Sequence, residues 1–416
     1  MQTWRSKGFL LTLLMSATLV APISSARPLR QATAELIHFT DDTTAEGQPL
    51  RDDFLHDSVW CAMGRGPNGK IYIAVSNHKQ PGGNVLLYTY DPSTGKLKAM
   101  DDIKAVSTRA GNWREDESQH KVHTFLQTHA DGKVYFASFS AKPSPVVRGA
   151  HLYRIDPEDD SIEDITPELL KGQDLSDPGV LLPGQGIRGM ALHPDQPDHL
   201  YAMAYPGGAI YRVNLKTGEQ AQVGQSANDN FVMYAAADGS LYYGDGDEQS
   251  QSLMRYDPAS GQTETVTDKL PPGEFGAIAP SQDGRDVYFL MAESKQVYRL
   301  DLKWGNVRFI KELCGVNRWR LYNLHLSLDG DNAYYVSNNN DRSKLYRLHI
   351  KSGLCREELD INELLGTRDL CFGGTGVWDD QGSFYAPVWT HGGDGSDLAI
   401  LKAAVEEPKP VIQTGQ

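Results

Sequence analysis

Short runs in which apolar and polar residues alternate recur along most of this chain. They include Leu87-Tyr88-Thr89-Tyr90, Ile210-Tyr211-Arg212-Val213, Leu253-Met254-Arg255-Tyr256, Val297-Tyr298-Arg299-Leu300 and Leu345-Tyr346-Arg347-Leu348. A period of two puts alternate side chains on opposite faces of an extended strand, whereas a helix needs a period near 3.6. Three runs lead into a turn at Asp91-Pro92, Asp156-Pro157 and Asp257-Pro258, where proline presets the backbone angle that a turn requires. Ahead of each run lies a glycine turn followed by an aromatic-led strand. These strands begin near Tyr72, Tyr135, Tyr201, Tyr242, Tyr288, Tyr334 and Tyr385, at spacings of 63, 66, 41, 46, 46 and 51 residues.

The second repeat shows the unit at its clearest. Strands are predicted at 123–128, 135–139, 151–155 and 161–165, with a tight turn at Asp131-Gly132 between the first two. Repeats of roughly 40 to 50 residues with several strands each predict an all-β chain, a seven-bladed β-propeller of four-stranded antiparallel blades. Most of the recurring tyrosines are then core residues, because aromatic and branched side chains on both faces let successive blades pack. The last repeat runs short near Ala403, so a terminal strand must close the ring. Residues 34–40 and 409–414 both suit, and the N-terminal segment is preferred because it joins the chain ends and removes an exposed edge.

Arg5 and Lys7 precede an apolar stretch at 9–20 and a small-residue site at Ser24-Ser25-Ala26. This is the pattern of a cleaved secretory signal at 1–26, and the stretch is shorter than the ~20 residues that a membrane span needs. A single propeller domain at 27–416 is expected to be periplasmic or secreted, with no membrane span after signal cleavage. The 416 residues hold 54 acidic and 40 basic side chains, for a formal charge of −14. That balance argues against a nucleic-acid partner, which needs a basic footprint, although a local basic pocket can sit on an acidic body.

In an oxidising compartment the four cysteines allow three pairings. Cys61 and Cys371 occupy similar places in the first and last repeats, which ring closure makes neighbours, so a Cys61–Cys371 staple is expected; the pairing of Cys314 and Cys355 stays open. No C-x-x-C spacing suggests zinc.

With this repeat, the chain resembles the broad group of secreted bacterial seven-bladed propellers that includes the YVTN-type and streptogramin-lyase-like proteins. The resemblance covers almost the whole mature chain and is architectural. The Gly-His and Trp-Asp marks of WD40 blades do not recur. The Asp-x-x-Thr-Gly turn at Asp91 to Gly95 resembles quinoprotein dehydrogenase blades, but their docking tryptophan is not repeated, so no quinone cofactor is expected.

The loops entering each inner strand share a rim with those between the second and third strands, and such loops carry function on a rigid scaffold. The two longest spacings arise from insertions at 102–121 and 166–188. These bring His120, Lys121, His123, Arg148, Arg188 and Tyr205 toward one another, with Trp113 and Arg114 on the first insertion. Nine residues before a turn glycine stand Trp60, His123, Asn230, Phe275, Leu321 and Gly373, and Gly189 takes that position in the third repeat. Such a mixture suits a half-apolar ligand cup, flanked by Arg318, Trp319, Arg320, Tyr322, His325, residues 338–342, Trp389 and His391.

His123 is the leading candidate, since imidazole can act as base, ligand or donor near neutral pH. Arg188 could clamp a carboxylate, and Tyr205 ends a strand on the same rim. The oxygen-rich turns at 245–248, 338–341 and 392–395 match no complete calcium loop; no metal ligand is assigned, although the sequence leaves a divalent metal open. No cofactor is predicted. Motifs of serine hydrolases and zincins are missing.

The expected function is an exported propeller whose rim binds a polar ligand, a saccharide for example, or a protein partner. The alternative is a carbohydrate lyase that cleaves uronate-containing oligosaccharides by β-elimination. There His123 or Tyr205 would be the base and Arg188 would neutralise the carboxylate, with His151 supporting. Trp60, Trp113, Arg114, Arg148, Asn230, Phe275, Arg320, Tyr322 and Trp389 complete the expected ligand-binding set.

Overall fold

Seven antiparallel blades form a ring, a seven-bladed β-propeller. The computed structural model describes residues 33–39, 56–77, 83–140, 147–193, 195–227, 230–246, 251–316, 320–339, 342–365, 370–372, 374–390 and 398–405. The leader at 1–26, Arg318, Trp319, Gly373, His391, the whole turn at 392–395 and parts of those at 245–248 and 338–341 lie outside the described residues.

Blade 1 runs outward through Met63–Arg65, Ile71–Asn77, Asn84–Asp91 and Lys96–Asp102. Blades 3 to 6 repeat that order. In blade 2 the inner strand is split into Lys121–Val122 and Gln127–Thr128, and in blade 7 into Leu370–Phe372 and Val377–Trp378. The outermost strand of blade 7 is the N-terminal Thr33–His38, in register from Thr33 opposite Ala404 to His38 opposite Ala399. The N-terminal closure expected from the sequence is therefore realised; residues 409–414 lie outside the described set.

The alternation along the strands becomes packing between blades. Tyr72, Tyr88, Tyr153, Tyr334, Tyr335 and Tyr385 are fully buried, as expected of rings that fill the space between sheets. Their hydroxyls keep polar partners: Tyr72 donates to Asp160 at 2.9 Å and Tyr385 to Asp379 at 2.9 Å. No helix among the described residues is long and apolar enough to cross a membrane.

Neighbouring inner strands approach through glycine. A methyl group at Gly64 would overlap the Leu126 carbonyl, one at Gly189 the Phe231 carbonyl, and one at Gly276 the Leu321 carbonyl. Backbone meets backbone at these three junctions, leaving no room for a side chain.

The disulfide differs from the one expected. Cys314 and Cys355 are bonded, 41 positions apart in sequence and with Cα atoms 6.1 Å apart. Cys61 is a free, buried thiol, and the side chain of Cys371 lies outside the described residues. Similar position in two repeats was the basis for pairing Cys61 with Cys371, but disulfides need a specific separation and direction of Cβ atoms, which repeat position does not report. The observed bond ties the entry loop of blade 6 to that blade's own outer strand.

Two outcomes follow. Gly189→Ala should lower unfolding stability by about 1–3 kcal/mol through overpacking against Phe231, read as a lower denaturant midpoint. Replacing Cys314 and Cys355 together by serine should cost about 2–4 kcal/mol, and non-reducing peptide maps should recover the 314–355 link.

Candidate functional site

The two insertions meet, but what they build is a sealed polar core. The first contains the helix Ile103–Arg109, whose start is capped by Asp102 accepting from the Ala105 amide at 2.9 Å. Beyond it, Asn112 donates to the Gly179 carbonyl at 2.7 Å, and Arg148 pairs with Asp177 through Nε at 2.9 Å. At the centre His151 is fully buried between Glu117, at 2.7 Å from Nε2, and Asp164, at 2.8 Å from Nδ1. Burial opposes its charge, but the two carboxylates outweigh burial and raise its pKa above the usual 6.5. The same contacts hold Glu117 and Asp164 below the usual carboxylate range despite their own burial.

His151 thus holds both ring nitrogens against carboxylates in a buried network, and Arg148 belongs to that network through Glu117 at 2.9 Å. Trp113 stands with its ring 6.5 Å from His151, and Arg114 reaches Asp177 at 2.7 Å. The structure therefore gathers His151, Trp113, Arg114 and Arg148 in one place, where the charged groups bond to protein partners.

The opening of the funnel is different. Lys121 opens the inner strand of blade 2 opposite Phe139, and its ammonium lies 4.4 Å from the Phe139 ring and 5.4 Å from the Trp60 ring. Arg188 occupies a bulge in the inner strand of blade 3, where the register passes from Ile187 opposite Ala204 to Gly189 opposite Met203. Bulges re-aim side chains, and here the guanidinium lies 5.4 Å from the Tyr205 ring and 6.0 Å from the Phe231 ring. Tyr205 and Phe139 are themselves neighbours, with ring centroids 5.2 Å apart. Two cations thus rest on adjoining aromatic rings.

His123 sits in the same cluster, 5.2 Å from the Phe231 ring and 6.0 Å from the Phe139 ring. Its Nδ1 donates to the Arg188 carbonyl at 3.1 Å, which leaves Nε2 with the lone pair. Burial, and then Lys121 and Arg188, push its pKa well below 6.5, so the ring is neutral. Burial first and Arg188 second bring Lys121 down to about 8, with Asp57 opposing. Among the described residues the Lys121 ammonium makes no hydrogen bond or ion pair; its contacts are the two ring faces.

Trp60, 39% exposed, packs edge-on against Trp389 at 5.8 Å. On the opposite side Tyr322 lies 5.7 Å from Phe231 and donates to Glu274 at 3.2 Å, while Arg320 pairs with Glu274 and with Glu293 at 2.6 Å. The mouth therefore brings together His123, Arg188, Tyr205, Trp60, Trp389, Tyr322 and Arg320 from the expected set.

Asn230 and Phe275 are not at the opening. Both are buried at the junction of blades 4 and 5, where the Asn230 side-chain oxygen accepts from the Phe275 amide at 3.0 Å. Lys121, Phe139 and Phe231 were not singled out as ligand contacts in the sequence. The available signal was Lys121 itself, a lysine two positions before His123 at the start of an inner strand. A cleft of about 620 Å³ on the flank, lined in part by Arg109, Arg154, Glu163, Glu168 and Lys216, mixes charges of both signs, with Arg154 paired to Glu163 at 2.6 Å.

No known protein family matches the chain, and no curated protein matches it. Solved structures do. The extracellular domain of BT4673 from B. thetaiotaomicron, described as a one component system, is 13% identical with a TM-score of 0.53, over 88% of this chain and 40% of that one. A second structure of that domain, described as part of a hybrid two component system, gives 10% identity and a TM-score of 0.55, over 91% and 44%. The β-propeller domain of Cps50 (Swd1) from Myceliophteria thermophila gives 13% identity and a TM-score of 0.55, over 90% and 100%. This chain spans less than half the length of the BT4673 domains. At these identities the likeness is one of fold.

The His151 network carries its own expectation. His151→Gln removes the cation between two buried carboxylates and should cost about 3–5 kcal/mol at neutral pH. A raised histidine pKa stabilises below the unfolded value and loses that contribution as pH rises through the folded one; the lowered carboxylates lose theirs as pH falls through their folded values. The stability difference between wild type and His151→Gln should therefore be largest near pH 5–6 and shrink on either side, measured by denaturant titration across pH.

Proposed function

We propose that the protein is an exported binding propeller whose mouth takes a carboxylate-bearing ligand, with uronate-containing saccharides as the first class to test. The observation that carries this reading is Lys121. In a chain with an acidic excess, its ammonium lies on Phe139 and Trp60 beside a second cation and makes no ion pair among the described residues. An ammonium partly desolvated on ring faces, with no anion bonded to it among the described residues, favours a ligand that supplies one. Trp60 adds an exposed ring of the kind that packs against a sugar face.

A second reading, β-elimination from a uronate, draws on one further observation. The neutral His123 keeps a lone pair on Nε2 in the same cluster as Arg188 and Tyr205. A base and a carboxylate-binding cation are the parts that this chemistry needs.

Titration with galacturonate oligomers should quench Trp60 fluorescence, whereas neutral galactose oligomers should not. Lys121→Met and Arg188→Met should each weaken binding at least about tenfold, equivalent to about 1.4 kcal/mol. Binding should also weaken as pH rises through about 8, where Lys121 loses its proton. Equal quenching by neutral and acidic sugars, or none by either, would sink the carboxylate reading. Ultraviolet absorbance from an unsaturated uronate, abolished by His123→Ala, would establish the lyase instead.

A further inference from the structure

We infer that the outer turns of blades 5 and 6, on the face opposite the mouth, dock on an anionic phospholipid bilayer. Trp304 and Leu354 enter its headgroup layer, while Lys303, Arg308, Lys311 and Lys351 meet its phosphates. The inference stands apart from the reading of the mouth and uses none of its residues.

Blades 1 to 6 join their third and fourth strands by the same turn, which supplies an internal standard. In each turn one amide donates to the carbonyl four residues earlier: Gly95 to Asp91, Asp160 to Asp156, Gly218 to Asn214, Gly261 to Asp257, Gly305 to Asp301 and Gly353 to His349, at 2.8–2.9 Å. The donating residue has a positive φ every time, between 62° and 73°. Just before it stand Thr94, Asp159, Thr217, Ser260 and Ser352, but Trp304 in blade 5. Just after it stand Lys96, Ser161, Glu219, Gln262 and Asn306, but Leu354 in blade 6. Polar residues at the matching places show that the turn itself requires no apolar group there. Trp304 and Leu354 are nonetheless 68% and 63% exposed, more than any other large apolar side chain among the described residues. Apolar surface that the fold neither needs nor covers marks an interaction site.

Cations surround both side chains. From Leu302 to Lys311 the sequence carries Lys303, Arg308 and Lys311 and no acidic residue, in a chain of formal charge −14. Lys351 repeats Lys303 at the same place in the turn of blade 6. The Lys303 ammonium lies 4.7 Å from the Trp304 ring. Lys311 Cδ comes to 3.7 Å from the point where a Cβ on Gly353 would stand, so the outer strand of blade 5, Asn306–Glu312, meets the turn of blade 6. The two turns therefore share one surface. Lys216, at the Lys303 place in blade 3, is held by Asp198 at 2.7 Å, whereas Lys303, Arg308, Lys311 and Lys351 have no ion pair among the described residues.

A bilayer suits this surface better than an acidic peptide does. The apolar groups project from turns, and projecting points meet a plane, whereas a peptide is held in a groove. An indole combines an apolar ring with a polar N–H and settles at the membrane–water interface. Lysine and arginine lay their stems along apolar surface and keep the charge at the phosphates. Attraction and repulsion both fade within a Debye length of about 8 Å at physiological salt, so the acidic remainder of the molecule does not cancel a local basic patch. Docked in this way, the protein turns its mouth away from the lipid and toward solutes.

The test is co-sedimentation of the intact chain with two sets of vesicles at about 0.1 M salt. One set holds equal parts of phosphatidylglycerol and phosphatidylcholine, and the other holds phosphatidylcholine alone. The chain should pellet with the anionic set at least about tenfold more than with the neutral one. Anionic vesicles should also move tryptophan emission to the blue, a shift that Trp304→Ser loses. Trp304→Ser, Leu354→Ser and the pair Lys303→Glu with Lys351→Glu should each lower the bound fraction at least about fivefold. Serine already stands at the matching turn positions of other blades, and the contrast between the two vesicle sets needs no variant at all. Equal pelleting with both sets, no pelleting, or pelleting that all three variants leave unchanged would overturn the inference. Retention on immobilised poly-glutamate without any pelleting would overturn it in favour of an acidic protein partner.

Discussion

Contact between the backbones of neighbouring inner strands sets the scale of this ring. Where Gly64 meets Leu126, Gly189 meets Phe231 and Gly276 meets Leu321, the strands come closer than any side chain allows. Such contacts hold the inner circle tight, and packed aromatic rings then fill the wider space farther out. They also bear on the mouth. Gly189 follows Arg188 directly in the bulge of blade 3, so the close approach that pins this strand also anchors the backbone from which the guanidinium projects. Phe231, whose carbonyl Gly189 touches, contributes its ring to the same cluster.

Two polar systems lie side by side in blades 2 and 3, and their electrostatics are opposite. Around His151 each cation faces carboxylates, with Glu117, Asp164 and Asp177 answering His151 and Arg148. Removing charges from water is costly, and this network offsets the cost internally by pairing and hydrogen bonding. At the mouth Lys121 and Arg188 sit together on rings. A group whose charge is already satisfied gains little from a ligand, while a desolvated ammonium with no anion bonded to it among the described residues, as at Lys121, gains much. The contrast separates a self-paired network that stabilises blades 2 and 3 from a mouth where the Lys121 ammonium keeps only ring contacts among the described residues.

Much of the architecture was legible because it depends on period and spacing. Alternation at Ile210 to Val213 or Leu345 to Leu348 reads directly as strand, and the short final repeat announced a closing strand that proved to be Thr33–His38. The site was legible only in part. Position counting from the turn glycines found Trp60 and His123, but it treated Asn230 and Phe275 as their equivalents when both are packed between blades. Counting assigns a height on the strand and says nothing of how far the neighbouring blade covers it. His151 failed for a related reason: a histidine at a strand start carries no mark of the two carboxylates, Glu117 and Asp164, that folding brings to it. The disulfide was missed on the same ground, since equivalent places in two repeats need not place sulfur atoms within bonding reach.

Closure of blade 7 joins residues far apart in the order of synthesis. Thr33–His38 can find its partner only when Ala399–Ala404 exists, so a chain made from its N-terminus must hold one edge strand unpaired until nearly all the rest has been completed. Blades 1 to 6 need only local contacts, and the 314–355 bond lies within the territory of one of them. Local structure therefore accumulates early, while the bond that makes the ring a ring forms last and over the longest loop. In the interval the unpaired strand is a docking edge for any other chain, another copy included, so the speed of this single late step governs how much of the protein survives its own folding as a monomer.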